Sequence, residues 1–500
     1  MEHSLSGAED ALIESLTFNL PNSANFITDR RSVSFFPSNG NEFSPQGVRI
    51  LRFMLTGTDW LSVDTLRVQY KFNNKQDIAL YPINALGAIP FRRLRILAGG
   101  QLIEDIDYYN LVYNMLSTLM PAERRLNDAV QGFGLSQDLA LVGLESLNTS
   151  PQIPPGKSRV VSFPLLCGLM NQNKKIPLRY CQGLQIELEI CNQYTDCVLG
   201  QTVLPAGADP PSASIGQAVG TRTTANVSTL WSISEAVIHC DMITLDSQLD
   251  NEYTEHIMSG KSLPIAYTSF VHQVQASNGN DKPTISLSRA FTRLETVYCT
   301  FFKNPVVWKP NPALPGGVEK TNIGALHIPL REQNYFWHPQ HIYNYGNSFG
   351  RTLFQPTTEP FSNQQGIVYQ ANIEPEIQLQ IGSKLFPEIP IRSSSEAYNH
   401  LLKAVGCFHP ATTKSINISE REYRTTKFIC AFDIQKEHSA FASGLNTRTG
   451  DLITIKCQNG WKHMDNEGNV WNDSYPEYVH VTLAYSGMMN ISDSGIQILD

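Results

Sequence analysis

Apolar residues fall on every second position in run after run of this sequence. Leu66, Val68, Tyr70 and Phe72 alternate with Arg67, Gln69 and Lys71, and Leu184, Ile186, Leu188 and Ile190 alternate with Gln185, Glu187 and Glu189. Ile377, Leu379 and Ile381, then Val479, Val481, Leu483 and Tyr485, repeat the pattern. A period of two places neighbouring side chains on opposite faces of a pleated ribbon, so each run reads as a strand with one apolar and one polar face. Strands of that kind build antiparallel sheets stacked in a sandwich, not a parallel sheet covered by helices on both sides.

The runs also recur in the same order. LRILAGGQLIEDIDYYN (94–110) is an alternating run, a glycine turn, a leucine with Glu104 close behind, a short apolar exit and Tyr-Asn opening a helix; LQIGSKLFPEIPIRSSSEAYN (379–399) repeats that sequence of events around Glu388. LRVQYKFNN (66–74) has a looser partner in VYCTFFKN (297–304), and CGLMNQNKKIPLRYCQGLQIELEI (167–190) has one in SGLNTRTGDLITIKC (443–457). WSISEAVIHCDMITL matches YVHVTLAYSGMMNIS. The chain therefore reads as a duplicated all-β protein: one sandwich over 1–245, a second over 246–500.

Helices are few and short. DYYNLVYNMLSTLM puts Leu111, Met115 and Leu119 on one face behind Asp107 as N-cap, and SSSEAYNHLLKAVG has Ser393 and Glu396 at capping-box spacing before Gly406. A third, at about 247–259, aligns Leu249, Tyr253 and Ile257 and is the expected connector between the halves. Two loops stand out. The segment 198–228 is long and almost uncharged, and an insertion at about 305–370 is rich in Pro, Gly, Asn and aromatic residues. Long irregular segments on a compact β domain are surface with a function or are linker. The aromatic stretch 305–350 is expected to be ordered and 205–228 is not.

Composition narrows the function. A chain of 500 residues exceeds one ordinary core, and 41% apolar with 17% charged residues describes a globular protein. No apolar run is long enough to span a bilayer, and MEHSLSGAED lacks a signal peptide's basic and apolar regions, so a cytosol-like compartment is expected. The nine cysteines (Cys167, Cys181, Cys191, Cys197, Cys240, Cys299, Cys407, Cys430 and Cys457) are odd in number, scattered, and read as buried small apolar residues in a reducing compartment. A net charge of −8 with no basic tail encodes no strong direct grip on nucleic acid.

Each cluster that resembles chemistry has a structural reading that suits it better. His338-Pro-Gln-His341, with His327 nearby, has ligand-like spacing, but a metal site needs three or four convergent ligands and Pro339 keeps the pair off one helix face. Glu104, Asp105 and Asp107 form an acidic cluster, yet in a strand Glu104 points away from Asp105. The second copy keeps Glu388 but has Pro390 and Ile391 where further acids would be needed. PAERRLNDAVQGFG (121–134), with Glu123, Arg124, Arg125 and Asp128, reads either as a clamp on a neighbouring subunit or as a solvated turn with local ion pairs. The glycines of LAGGQ lack the spacing of a phosphate loop, and no Walker, dinucleotide or Gly-x-Ser-x-Gly motif occurs. No catalytic, cofactor or metal site is expected.

PFRRLRILAGGQLIEDIDYYN, PAERRLND, IPLRYCQGLQIELEI and the closing GLNTRTGDLITIKC and YVHVTLAYSGMMNISDSGIQILD resemble major capsid proteins of polinton-like viruses, relatives of virophages and adintoviruses. The resemblance implies a double jelly roll, a homotrimer that looks six-sided, and an icosahedral shell around double-stranded DNA. It further implies penton and minor or cement proteins as partners, assembly in the host cytoplasm or nucleus, location in the virion, and no enzyme activity. Unequal loops predict towers of unequal height, with the aromatic insertion as candidate anchor between subunits. The alternatives are a tandem β-sandwich carbohydrate-binding module and a tandem jelly-roll enzyme, which would show a sugar-dependent melting shift or defined copper ligands.

Overall fold

The structure is a computed structural model describing residues 26–77, 80–82, 86–134, 153–191, 198–200, 222–224, 230–277, 282–302, 306–308, 336, 376–407, 416, 418, 423, 427–437, 443–448, 451–458 and 478–499. In the first half, β1 (Ile27–Phe35), β2 (Ile50–Leu55), β3 (Trp60–Asn74), β4 (Phe91–Ala98), β5 (Gln101–Asp107), β6 (Ser158–Pro164), β7 (Leu184–Ile190) and β8 (Trp231–Leu245) form two antiparallel sheets, ordered β1-β8-β3-β6 and β2-β7-β4-β5. In the second, β9 (Leu263–Ala276), β10 (Thr284–Leu287), β11 (Leu294–Phe302), β12 (Glu376–Ile381), β13 (Lys384–Ile391), β14 (Ile429–Asp433), β15 (Ile453–Gln458) and β16 (Tyr478–Ser492) form sheets ordered β9-β16-β11-β14 and β10-β15-β12-β13. Adding eight to each strand of the first half yields the second. A short strand, β17 (Gly495–Leu499), pairs with the end of β16.

Alternation in the sequence is alternation in burial along β3 and β12, whereas β16 is buried on both faces, with His480, Thr482 and Ala484 enclosed as well as Val479, Val481 and Leu483. Leu66, Val68, Tyr70 and Phe72 of β3 are buried, as are Leu184, Ile186, Leu188 and Ile190 of β7 and Ile377, Leu379 and Ile381 of β12. The two segments matched end to end in the sequence are β8 and β16, the central partners of β1 and β9. Both glycine turns close hairpins: Gly99 and Gly100 between β4 and β5, Gly382 between β12 and β13, each with a positive φ that a side chain would strain.

Among the described residues four α-helices accompany the sheets: α1 (Tyr109–Leu119), α2 (Ala122–Gln131), α3 (Ser247–Met258) and α4 (Ser394–Val405). Two expectations need correction. Asp107 does not cap α1; Tyr108 occupies the N-cap in the left-handed region, and Asp107 Oδ1 accepts the Tyr108 N–H at 3.0 Å. The charged patch after α1 is a helix, not a turn. Pro121 precedes it with its φ already near helical, and Arg124 and Asp128 pair across one turn at 3.7 Å. Ser393 Oγ accepts the Glu396 N–H as the box predicts, but Glu396 Oε2 accepts from Arg392, one residue upstream, and Gly406 closes the helix in the left-handed conformation. Asp246 caps α3.

The two long loops meet. Arg222–Thr224 in one pairs antiparallel with Val306–Trp308 in the other. Their remaining lengths, with His327, His338 and His341, lie outside the described residues apart from short fragments.

Candidate functional site

A seam joins the sandwiches, and it begins at the hairpin quoted above. β5 is the edge strand of its sheet and lies alongside β9, the edge strand of a second-half sheet. Opposite β4 the register shifts between Ile96 and Leu97, giving β5 one extra residue, so that consecutive Ile103 and Glu104 are both buried. Glu104 is fully enclosed. Its Oε1 accepts the Gly168 N–H at 2.9 Å and the Ser269 hydroxyl at 2.6 Å, and its Oε2 accepts the Leu169 N–H at 2.8 Å. Burial pushes its carboxyl above the usual range while those hydrogen bonds oppose the rise. One carboxylate thus ties β5, the loop at 168–169 and β9 together. Gly168 is required there, since a Cβ would overlap the Thr268 carbonyl of β9. The Tyr267 hydroxyl donates to the Ile103 carbonyl at 3.4 Å, and Tyr109 Oη accepts the Leu166 N–H at 3.0 Å.

The other acids of the cluster turn elsewhere. Asp105 forms a two-pronged pair with Arg93 at 2.6 and 2.7 Å, and Asp107 lies 3.5 Å from Arg92. They do not converge with Glu104, and Glu388 is exposed on β13.

Helix α1 drives through the seam. Tyr109, Val112 and Tyr113 belong to the core of the first sandwich, whereas Leu111, Met115 and Leu119 are buried in that of the second. In return Ile265 and Tyr267 of β9, Met489 and Ile491 of β16 and Ile496 of β17 pack into the first core. At the mouth of the helix Tyr108, φ 49°, packs on His272 and His480 with ring centroids 5.5 and 5.8 Å away, and the Arg92 guanidinium lies 4.7 Å from its own ring. The two histidines share a hydrogen bond between His272 Nε2 and His480 Nδ1 at 2.9 Å, and His272 Nδ1 is 2.9 Å from Thr482 Oγ1. Burial pushes His272 down to about 3, and burial followed by the charge of His272 lowers His480 well below the ordinary imidazole value.

This arrangement holds surfaces together. The carboxylate at its centre is sealed from solvent and engaged by three donors. Among the described residues no group of three His, Cys, Asp or Glu side chains is placed to hold a metal ion, and no helix is long and apolar enough to cross a membrane. One open apolar recess of about 420 Å3 lies beside β1 and α3, lined by Ile27, Trp60, Leu249, Tyr253 and Leu263. Lys174 and Lys175 at its rim already donate to the Pro264 carbonyl and to Asp64. Cys197 lies outside the described residues; the other eight cysteines are free thiols, seven of them buried.

Sequence reasoning singled out Glu104 and set it aside, and it missed Gly168, Ser269, His272 and His480 as a group. The available signals were a serine on an apolar stripe (Ile265, Tyr267, Ser269, Val271) and the Gly-Leu pair shared by 168–169 and 444–445. Gly444 is likewise pressed against backbone, with a Cβ falling 2.6 Å from the Leu294 carbonyl.

No family model and no curated protein matches the sequence. Solved structures do match over nearly the whole chain. The VP54 protein of PBCV-1, fitted into a reconstruction of the virophage Sputnik, aligns at a TM-score of 0.55 and 11% identity, covering 96% of this chain and 98% of that one. A chain of the Sputnik virophage structure at 3.5 Å aligns at 0.54 and 9%, covering 97% and 91%. The Faustovirus major capsid protein aligns at 0.52 and 9%, covering 98% and 94%. The shared feature is the fold: two tandem jelly rolls.

Proposed function

We propose that this chain is a structural major capsid protein whose trimers, six-sided in outline, tile the icosahedral shell of a double-stranded DNA virus or virus-like element. The observation that carries the reading is the pair of jelly rolls of identical strand order, locked side by side by a buried seam. Three such chains present six similar edges to their neighbours, which is what a near-hexagonal tile needs. The likeness to capsid chains across nearly full length supports it, as do the enclosed polar groups of the seam. In this reading the chain divides near residue 246 into a jelly roll over 1–245 and another over 246–500. The paired loop strands at 222–224 and 306–308 form the base of the outer towers, and penton and cement proteins complete the shell. The chain is a building block, not an enzyme, and it acts in the virion. The polinton-like lineage is the resemblance that best accounts for its motifs.

Size exclusion with light scattering tests the reading. A species of three chain masses, or shells in the electron microscope built from it, is the expected result; a monomer at every concentration would sink it. A filter-binding assay should find no tight, salt-sensitive DNA binding.

A further inference from the structure

The apolar stripe of the connector helix is only partly covered. Leu249, Tyr253 and Ile257 share one face of α3, and of these only Ile257 is buried. Leu249 and Tyr253 open instead into the recess of about 420 Å3, whose walls include Ile27, Trp60 and Ile243 of the first half and Leu263 of the second. Trp60 and Tyr253 meet there with ring centroids 4.9 Å apart. Binding sites run to about 300–1,000 Å3, with apolar and aromatic walls and few polar groups, and the recess fits that description. Its polar groups are the two lysines at the rim. Lys175 is paired with Asp64, whereas Lys174 donates to the Pro264 carbonyl and has no carboxylate partner among the described residues.

The chain itself leads to this recess. The Phe26 carbonyl accepts the Asp246 N–H at 2.7 Å, beside the start of α3, and the next residue, Ile27, is a wall of the recess. Residues 1–25, which lie outside the described residues, are therefore tethered at its rim. Their sequence complements it. ALIESLTFNL (11–20) carries Leu12, Ile13, Leu16, Phe18 and Leu20 with a single charge, Glu14, and PNSAN (21–25) is a turn composition between that run and β1. An apolar run of that kind calls for cover. Leu20 precedes Ile27 by seven residues, which reach at most about 25 Å when extended.

From this geometry we infer that the chain's own segment 11–20 docks in the recess, its apolar residues against Trp60, Leu249 and Tyr253 and its Glu14 towards Lys174. The tether makes the contact intramolecular. A short linker holds its cargo at an effective concentration in the millimolar range, so a few apolar contacts suffice to fill the site. Docking covers the half-exposed face of α3 and fastens the connector to both sandwiches. The inference concerns a single chain and stands whether or not that chain builds a shell.

A cysteine pair in the 500-residue chain, Leu20→Cys with Leu249→Cys, tests the assignment when it is oxidised with glutathione disulfide and read by peptide mapping. The expected result is a link between positions 20 and 249 of one chain. It should form at least tenfold faster than the link in a control pair, Leu20→Cys with Val160→Cys, whose second site is exposed on β6, at the opposite edge of the sheet from β1. Adding Leu16→Asp to the first pair should slow its link at least tenfold, because a charge must then enter the apolar recess. Tyr253→Cys replaces Leu249→Cys if that variant misfolds. Equal rates for the two pairs, or no link at all, would overturn the inference. A link found only between chains would overturn it too, by giving the recess to the segment of a second copy.

Discussion

The Glu104 carboxylate in the first sandwich accepts the Ser269 hydroxyl of the second at 2.6 Å. The same carboxylate holds the Gly168 and Leu169 N–H groups, so three segments converge on one side chain. Such a group binds by geometry: every donor around it was removed from water to meet it.

Replacing Glu104 with alanine strands two buried N–H groups and a hydroxyl. Each stranded donor costs about 1–3 kcal/mol, so Glu104→Ala should lower stability by several kcal/mol in urea denaturation. Ser269→Ala removes one donor from an otherwise satisfied acceptor and should cost about 1 kcal/mol. Equal losses for the two variants would mean that the carboxylate is not the hub.

Gly168→Ala should be more damaging than its size suggests, because the new methyl group meets the Thr268 backbone and the two sandwiches must separate to admit it. Gly100→Ala is the control: nothing lies within 4 Å of its Cβ, and only the positive φ is strained. We expect soluble, folded Gly100→Ala at a cost of roughly 1 kcal/mol and little native protein for Gly168→Ala. Comparable melting temperatures would count against a close-packed seam.

Met115 sits on a helix of the first half yet is buried in the core of the second. Met115→Ala should cost about 2–5 kcal/mol, as for other large-to-small core changes. It should also loosen the coupling between sandwiches, so that calorimetry resolves two transitions where the parent shows one. A single transition with an unchanged midpoint would refute the role given to α1.

The histidine pair makes stability depend on pH. His272 titrates near 3 in the fold and near 6.5 when unfolded, so the unfolded state binds the extra proton between those values. Its contribution is complete above about pH 6.5 and is lost as pH falls, at roughly 1.4 kcal/mol per pH unit. Glu104, raised in the fold, acts in the opposite sense: its stabilisation is complete below the ordinary carboxylate range and is lost as pH rises through its folded value. The informative quantity is therefore a difference. The stability gap between the parent and a His272→Gln/His480→Gln variant should shrink or reverse in favour of the variant between pH 6.5 and 4.5. A gap that does not change with pH would show that the pair is not neutral in the fold.

Local pattern made most of the architecture legible. Alternation in 66–72 and 184–190 marks strands because a period of two leaves one face for the core, whatever lies opposite. The matched 15-residue segments became β8 and β16 because length, order and turn glycines travel together in a duplicated chain. Helix α2 was within reach too: Pro121 and the Arg124–Asp128 spacing are helix signals that the density of charge obscured. The N-cap of α1 was not, because Asp107 has the right chemistry for a cap and only the observed backbone shows Tyr108 in that place.

What the sequence determined by itself was which side chains must leave water and in what order the strands come. What only the tertiary structure decided was against whom they are buried. Leu111, Met115 and Leu119 form an apolar stripe in any reading, but a stripe carries no address, and its partner is a core built from residues more than 150 positions away. Glu104 is one acid among three until Ser269 and the Gly168 backbone arrive beside it. Burial is a property of a residue and shows in local periodicity; a contact is a property of two distant residues, fixed only when the whole chain has closed.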